Sequence, residues 1–206
     1  MPLQLRTHGW IVLLIAAWLW VGLPHARADA GATRTIRLKQ PVVRVLDGDT
    51  FEVDLNGNGR LDLPEERVRM LYIDTPELQH SPKGQDVEHG LPAKDALEAL
   101  VRGKPMELTI SRGKPHDESG RTLAFVAAGG TDMGLALIRQ GHSPFDTRFV
   151  FPPNYPAYVA AEAQAFDAKL GIWREASSRQ AYLERLRKEG RTPQSSGNPL
   201  FVAGVS

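Results

Sequence analysis

The stretch "TFEVDLNGNGRLDLPEERVRMLYI" (residues 50–73) contains two β-forming runs and a polar segment that joins them. In the first run, Phe51, Val53 and Leu55 alternate with polar residues, which is the pattern of a half-buried strand. The second run, residues 66–73, is rich in valine, methionine and isoleucine. Two β-runs with a short connection predict an antiparallel hairpin, and hairpins argue against an all-parallel sheet.

The joining segment, residues 54–65, has the ligand spacing of an EF-hand calcium loop. Such loops place oxygen ligands at positions 1, 3, 5, 9 and 12, glycine at position 6 and a backbone carbonyl at position 7. The residues at positions 1, 3, 5, 6, 7, 9 and 12 are Asp54, Asn56, Asn58, Gly59, Arg60, Asp62 and Glu65, respectively. The alternative is a plain turn without an ion, because Asn-Gly is a strong hairpin signal. We expect an ion site that stiffens the hairpin and is accessory to the function.

The rest of the chain alternates strand and helix patterns. Strands are predicted over residues 33–40, 41–46, 105–110 and 121–128, and helices over 91–103, 133–141, 157–171 and about 178–189. Residues 74–90 are predicted to be a loop fixed by Pro76 and Pro82. Roughly five strands with three interspersed helices indicate an α+β fold, for which a small closed or partly open barrel is one solution among several.

The first 28 residues have the pattern of a secretory signal peptide. A basic start is followed by an apolar run from Trp10 to Leu23 and by Ala26-Arg27-Ala28, with cleavage expected after Ala28 or Ala30. The alternative is an uncleaved anchor, but a bilayer span needs about 20 apolar residues. We therefore predict a secreted or periplasmic protein with no stable membrane association after cleavage.

Composition limits what the exported part can be. Residues 29–41 form a polar leader, residues 42–174 one predicted domain, and residues 175–206 a charged, partly disordered tail. The chain has no cysteine, which excludes disulfides and thiolate metal sites. Without residues 1–28 it carries 23 basic and 24 acidic side chains, so it lacks a basic nucleic-acid-binding coat. Phosphate recognition would therefore depend on a few individual residues.

Three separate segments carry unusual polar residues: residues 47–50 ("DGDT"), Arg69 with residues 74–77 ("DTPE"), and residues 120–121 ("GR"). Carboxylates suit hard cations, and permanently charged arginines suit phosphate. The alternative to a functional site is that the acidic residues belong to turns and the arginines to surface ion pairs. On a straight strand, Asp74 and Arg69 would lie on opposite faces, so a bend before Asp74 is required.

In this order the segments resemble the staphylococcal nuclease (thermonuclease) family. The likeness includes "VLDGDTFEV", "VRMLYIDTPE", "SGRTLAFV", "LIRQG" and "GIW", and it runs from Val42 to Trp173. It implies an OB-fold five-stranded β-barrel with about three helices. It also implies hydrolysis of DNA and/or RNA phosphodiesters with one calcium ion (Ca²⁺), leaving 3′-phosphate ends.

The resemblance also implies roles for individual residues. Two carboxylates and one backbone carbonyl would hold calcium, one carboxylate would be the general base or orient water, and two arginines would grip the phosphate. The calcium ligands would be Asp49, Asp74 and the Thr75 carbonyl. Glu77 would be the general base or orient the water, and Arg69 and Arg121 would bind the phosphate.

The sequence also departs from the family pattern at two places. Ser119 replaces a tyrosine two residues before the second arginine, and residues 149–151 (Phe-Val-Phe) match a Tyr-x-Tyr pair. Two other functions stay open: a non-catalytic OB-fold module that binds nucleic acid, and a calcium-responsive structural protein. The retention of Glu77, Arg69 and Arg121 favours the enzyme, which we expect to act as a monomer on DNA and/or RNA.

Overall fold

The hairpin predicted from residues 50–73 lies within a mixed β-sheet. The computed structural model describes residues 33–38, 44–78, 85–149, 152 and 154–190. The strands are β1 (Thr33–Leu38), β2 (Arg44–Val45), β3 (Thr50–Glu52), β4 (Arg67–Met70), β5 (Met106–Ser111), β6 (Thr122–Ala128) and β7 (Thr131–Asp132). The helices are α1 (Gln85–Val101), α2 (Met133–Arg139), α3 (Tyr155–Asp167) and α4 (Ala176–Lys188), with a 3-10 helix at Gly171–Arg174.

The sheet has the order β1-β5-β6-β4-β3-β2, and β7 pairs with β6. Strands β3 and β4 are antiparallel, with Phe51 opposite Val68, which confirms the predicted hairpin. Strands β4 and β6 are parallel, a pairing that requires a long crossover, and α1 and β5 supply it. The α+β, OB-like class is therefore confirmed. The sheet has seven strands among the described residues instead of five, and their pairings do not close it into a barrel.

Of the predicted boundaries that are wrong, two lie next to the candidate site. Strand β4 ends at Met70 and does not continue to Ile73, because Leu71 and Tyr72 form a turn in which Tyr72 has φ of 71°. Helix α1 begins at Gln85, so residues 85–90 are helical where a loop is predicted. Gly90 acts there as a packing residue, since a Cβ atom at this position would lie 2.8 Å from the Glu77 carbonyl oxygen.

The hydrophobic core has two parts. The main cluster joins the sheet to α1, α2 and α3 through buried residues such as Phe51, Leu97, Leu137 and Tyr158. The second cluster joins the end of α3, the 3-10 helix and α4 through Ala165, Ile172, Trp173, Tyr182 and Leu186. Each part buries apolar side chains from elements that are distant in the chain, and such burial is the main driving force for folding.

Elements on both sides of the predicted domain, residues 42–174, pack with it. The leader region contributes β1, which pairs with β5 along all six of its residues. The tail region contributes α4, which confirms a helix near residues 178–189. The predicted signal peptide and residues 191–206 lie outside the described residues. Among the residues that are described, no helix has the length and apolar character needed to cross a membrane.

Candidate active site

Asp49 is the most constrained acidic residue of the site. It lies in the turn between β2 and β3, where its N–H donates to Asp47 Oδ1 at 2.9 Å, and it is 3% exposed. Thr75 donates to Asp49 Oδ2 through its N–H at 2.8 Å and its hydroxyl at 3.0 Å, and the Thr50 hydroxyl donates to Oδ1 at 2.9 Å. These bonds fix the carboxylate in place and tie the first predicted segment to the second.

Arg69 bridges the two predicted cation-binding carboxylates. Its Nη1 lies 2.7 Å from Asp49 Oδ2, and its Nη2 lies 2.7 Å from Asp74 Oδ1. The bend that the sequence requires is the Leu71–Tyr72 turn, whose left-handed Tyr72 redirects the chain so that Asp74 returns towards Arg69. The Asp74 N–H donates to Ser143 Oγ at 2.8 Å, which anchors the returning segment to the loop after α2.

A further arginine, absent from the sequence motifs, also binds Asp74. Arg148 Nη2 lies 3.0 Å from Asp74 Oδ2, and the same guanidinium contacts both oxygens of buried Asp146 at 2.8–3.1 Å. The Asp146 N–H donates to the Tyr72 carbonyl at 2.9 Å. An Asp-x-Arg pattern in a loop is typical of surface ion pairs, and long-range contacts such as this one place Arg148 beside Asp74.

Glu77 and Arg121 complete the predicted set. Burial raises the pKa of Glu77, the negative charge of Asp49 raises it further, and Arg69 and Arg121 act in the opposite direction. These charges affect Glu77 because the fold brings all of them near it. Arg121 precedes β6, and its Nε donates to Asp117 Oδ2 at 2.7 Å while 31% of its side chain stays exposed. All six predicted active-site residues therefore converge.

Comparison with known proteins agrees with this geometry. A family model described as staphylococcal nuclease homologue matches residues 67–175, which include Arg69, Asp74, Thr75, Glu77 and Arg121. The chain belongs to the staphylococcal nuclease family. The family match begins after Asp49 and the 54–65 loop, and it ends one residue before α4.

Individual relatives of the family have similar levels of identity. Thermonuclease of Staphylococcus intermedius is 32% identical over 135 residues, which cover 64% of this chain and 74% of that protein. The SPbeta prophage-derived endonuclease YokF of Bacillus subtilis (strain 168) is 32% identical over 133 residues, or 63% of this chain. Endonuclease YncB of the same organism is 30% identical over 133 residues. The aligned region spans 42% of YokF and 59% of YncB.

The donor chemistry of the nuclease-family site suits a hard divalent cation. Burial raises the pKa of Asp49 to about 6, with Arg69 opposing and Asp47 adding to the rise, and burial also raises the pKa of Asp74. The raised pKa values of Asp49 and Asp74 mean that nearby positive charge does not fully balance their negative charge, and a bound cation would supply the rest. Among the described residues no three His, Cys, Asp or Glu side chains form a ready metal cluster. The fit therefore rests on the oxygens of Asp49, Asp74 and Thr75.

The 54–65 loop is organised around Asp54. Asp54 Oδ1 accepts the N–H groups of Gly57 and Asn58 at 2.6 and 3.1 Å, and Oδ2 accepts that of Gly59 at 2.7 Å. The side-chain amides of Asn56 and Asn58 both donate to Asp62 Oδ2, at 2.9 and 2.7 Å. The predicted oxygen-bearing side chains thus gather within the hairpin, held by their own hydrogen bonds.

Glu66, and not Glu65, closes the base of this loop. Glu66 is 3% exposed, and its carboxylate accepts the N–H groups of Leu55, Asn56 and Asp62 at 2.8, 3.2 and 2.8 Å. Glu65, predicted at ligand position 12, points its side chain to solvent, and its carbonyl accepts the Thr122 hydroxyl at 2.6 Å. The ion site of the loop stays a prediction, with Glu65 in a less favourable position than the spacing suggests.

The two departures from the family pattern have different structural settings. Ser119 is exposed, and its N–H donates to Asp117 Oδ1 at 2.9 Å. The backbone N–H of Arg121 donates to the same oxygen. Phe149 is half-buried against the main core, whereas Val150 and Phe151 lie outside the described residues. Arg148, directly before Phe149, places guanidinium donors beside Asp74 in the same segment.

Proposed function

We propose that this protein is an exported, calcium-dependent nuclease that hydrolyses phosphodiester bonds of DNA and/or RNA and leaves 3′-phosphate ends. The observation that carries the proposal is the contact of Arg69 with both Asp49 and Asp74, at 2.7 Å each, beside Glu77. The names of the relatives, endonuclease and thermonuclease, support the same activity. Family membership supports a nucleic-acid substrate.

In the proposed reaction, a water oxygen bonds to phosphorus and the bond from phosphorus to the 5′ oxygen breaks. Glu77 accepts a proton from the water, and the departing oxygen takes up a proton, so that a 3′-phosphate and a 5′-hydroxyl result. A raised pKa makes Glu77 a better base than an ordinary carboxylate. The partly exposed guanidinium groups of Arg121 and Arg148 offer permanent charge to the phosphate oxygens. By contrast, Arg69, predicted for this role, is 7% exposed and already bound to the carboxylates of Asp49 and Asp74.

Asp49, Asp74 and the Thr75 carbonyl would hold the calcium ion. When bound, the ion supplies Lewis-acid polarisation and positive charge. Arg69 keeps the two carboxylates beside each other, and Thr50 and Thr75 fix the orientation of Asp49. Preorganised donors of this kind cost no rearrangement at the moment of reaction.

The test is incubation of the purified protein with plasmid DNA in calcium or in chelator. We expect cleavage in calcium only, and a rate loss of roughly 10²–10⁴-fold for Glu77→Gln. Glu118→Gln, at a side chain 91% exposed, is the matched control. Arg121→Lys should also lose most activity, while exposed Arg112→Lys should not. Intact DNA in both tubes would contradict the enzyme, and a retained gel shift would then favour the OB-fold binding module.

We further propose that the 54–65 loop binds a second, structural calcium ion. Asp54 lies at its centre, and the carbonyl and carboxylate oxygens of the loop are hard donors. The paired change Asp54→Ala with Glu65→Ala should lower Tm in calcium while leaving nuclease activity detectable. Isothermal titration should count two ions in the wild type, and a count of one would rule this site out.

Export and monomeric state complete the proposal. The signal pattern predicts a mature N-terminus at Asp29 or Gly31, which mass spectrometry of the exported protein would identify. Light scattering of the purified protein should give the mass of one chain. An intact N-terminus at Met1 in the membrane fraction would support an anchored protein instead.

A further inference from the structure

A cavity of about 600 Å³ lies beside the candidate active site. One wall is formed by residues 74–77, which include Asp74 and Glu77. The facing wall is formed by Trp173 of the 3-10 helix and by Ser177, Ser178 and Ala181 of α4. The family match ends at residue 175, so the α4 part of this wall lies outside the matched region, whereas Trp173 lies within it.

The charge of the cavity disfavours a phosphate group. Four carboxylates line it, those of Asp74, Glu77, Glu88 and Glu175. Among the described residues of the lining the one arginine is Arg185, which is engaged with the buried Glu162 at 2.6 Å. The arginines that face the proposed phosphate are not part of the lining. Because the proposed calcium ion and the attacking water engage Asp74 and Glu77, the carboxylates left for an occupant are those of Glu88 and Glu175, which suit an uncharged group that donates hydrogen bonds.

The lining also contains buried nitrogen atoms that lack partners within the described part of the chain. Trp173 is 2% exposed, and its indole Nε1 has no hydrogen-bond partner there. His89 Nε2 is also buried without a hydrogen bond, and its nearest carboxylate oxygen, Glu175 Oε1, is 3.9 Å away. Buried polar atoms are normally satisfied, whereas these two nitrogens lie unpaired among the described residues, just behind the surface of the cavity. Nucleobases carry both donors and acceptors on one edge.

We propose that this cavity is a subsite for one unpaired nucleobase next to the scissile phosphodiester, favouring bases with an exocyclic amino group. The inference rests on the proposed nuclease function. The cavity volume lies within the range of ordinary small-molecule sites, which leaves room for a base and its sugar. Cytosine N4 and adenine N6 donate to carboxylates, whereas thymine presents a carbonyl oxygen at the same place. A base can enter only when it is unstacked and unpaired.

The test uses substitutions on α4 that fill the cavity and leave the proposed catalytic residues unchanged. Ala181→Trp adds a large side chain on the cavity wall, and Leu183→Trp adds one on an exposed face of the same helix. For the wild type we expect a lower KM for single-stranded oligo-dC than for oligo-dT. Ala181→Trp should raise the KM for oligo-dC about tenfold, the size of a lost base contact, with little change in kcat. Leu183→Trp should change neither constant.

An unchanged KM for oligo-dC in Ala181→Trp would overturn the subsite, and equal wild-type KM values for the two oligonucleotides would overturn its base preference. If Ala181→Trp does not fold, Ser178→Phe fills the same wall. If no variant cleaves either oligonucleotide, the proposed function fails by itself. Fluorescence anisotropy with the same labelled oligonucleotides then decides the subsite: weaker oligo-dC binding by Ala181→Trp alone supports it, and equal binding by all variants overturns it.

Discussion

At the scale of single residues, the site is a small number of charges whose partners are set by the fold. Asp49 is almost fully buried and depends on Arg69 and two threonines for its hydrogen bonds. Its pKa is nevertheless raised, because burial and the nearby charge of Asp47 outweigh the attraction of Arg69. The protonation of Asp49 should therefore depend on both pH and the binding of a cation.

The first prediction concerns the pH dependence of stability. The pKa of Asp49 rises from 3.8 to about 6 on folding, so its favourable contribution is complete below 3.8 and lost as pH rises through about 6. Bound calcium should offset that loss, and its stabilising effect should be larger at pH 7.5 than at pH 5. The loop acid Asp62 has a lowered pKa, through hydrogen bonds from Asn56 and Asn58, and is ionised at both pH values.

Urea unfolding in calcium and in chelator at the two pH values measures this effect. The variant Asp49→Asn should show a calcium gain that depends less on pH than that of the wild type, because only Asp74 and Glu77 keep raised pKa values there. An equal or larger calcium gain at pH 5 in the wild type would contradict the assignment of Asp49.

The second prediction concerns Arg148. Arg148→Ala should lower kcat/KM roughly 10–100-fold, the usual cost of losing a partner that orients a metal-binding group. Stability should also fall, because the buried Asp146 loses its guanidinium partner, so kcat/KM is measured at a temperature where the variant is still folded. Arg37→Ala, which removes an 82% exposed arginine from its pair with Glu107, is the matched control. Wild-type kinetics for Arg148→Ala would show that its contact with Asp74 is incidental.

At the scale of elements, the β3–β4 hairpin shows why ligand spacing alone is incomplete. Both Glu65 and Glu66 follow the loop, and the pattern selects Glu65. The pairing of β3 with β4 turns Glu66 inward, where it binds three backbone N–H groups across the loop base. A carboxylate with three such donors is a structural anchor for the whole hairpin.

The third prediction tests this anchor. Glu66→Gln keeps the shape but replaces one acceptor oxygen by an N–H₂ group that faces a donor, so the unfolding free energy should fall by about 1–3 kcal/mol. Glu65→Gln, on the exposed neighbour, should stay within about 0.5 kcal/mol of the wild type. Chemical denaturation of the two variants gives both values, and a larger loss for Glu65→Gln would reverse the assignment.

At the scale of the whole molecule, α4 extends the nuclease-family fold and closes its second core. Tyr182 packs on Phe166 and Trp173 with ring centroids 4.8 and 5.2 Å apart. Arg185 binds buried Glu162 of α3 at 2.6 Å and also donates to the Phe145 carbonyl. Because Phe145 precedes Asp146, this ion pair connects α4 to the segment that carries Arg148.

The fourth prediction concerns that ion pair. Arg185→Met should lower the unfolding free energy by about 3–5 kcal/mol, because a buried carboxylate loses its guanidinium partner. Arg187→Met, on an exposed position of the same helix, should have almost no effect. Equal stability of the two variants in chemical denaturation would show that α4 is only loosely attached.

The sequence by itself determined the hairpin, the α+β class, most helix positions and the residue types of the site, because hydrophobic period and turn chemistry are local properties. The tertiary structure alone decided that Tyr72 turns Asp74 back to Arg69, that Glu66 closes the loop, and that Arg148 and α4 border the site. These depend on contacts between residues far apart in the chain. No local pattern encodes such contacts, since burial and neighbouring charge arise only when the elements pack together.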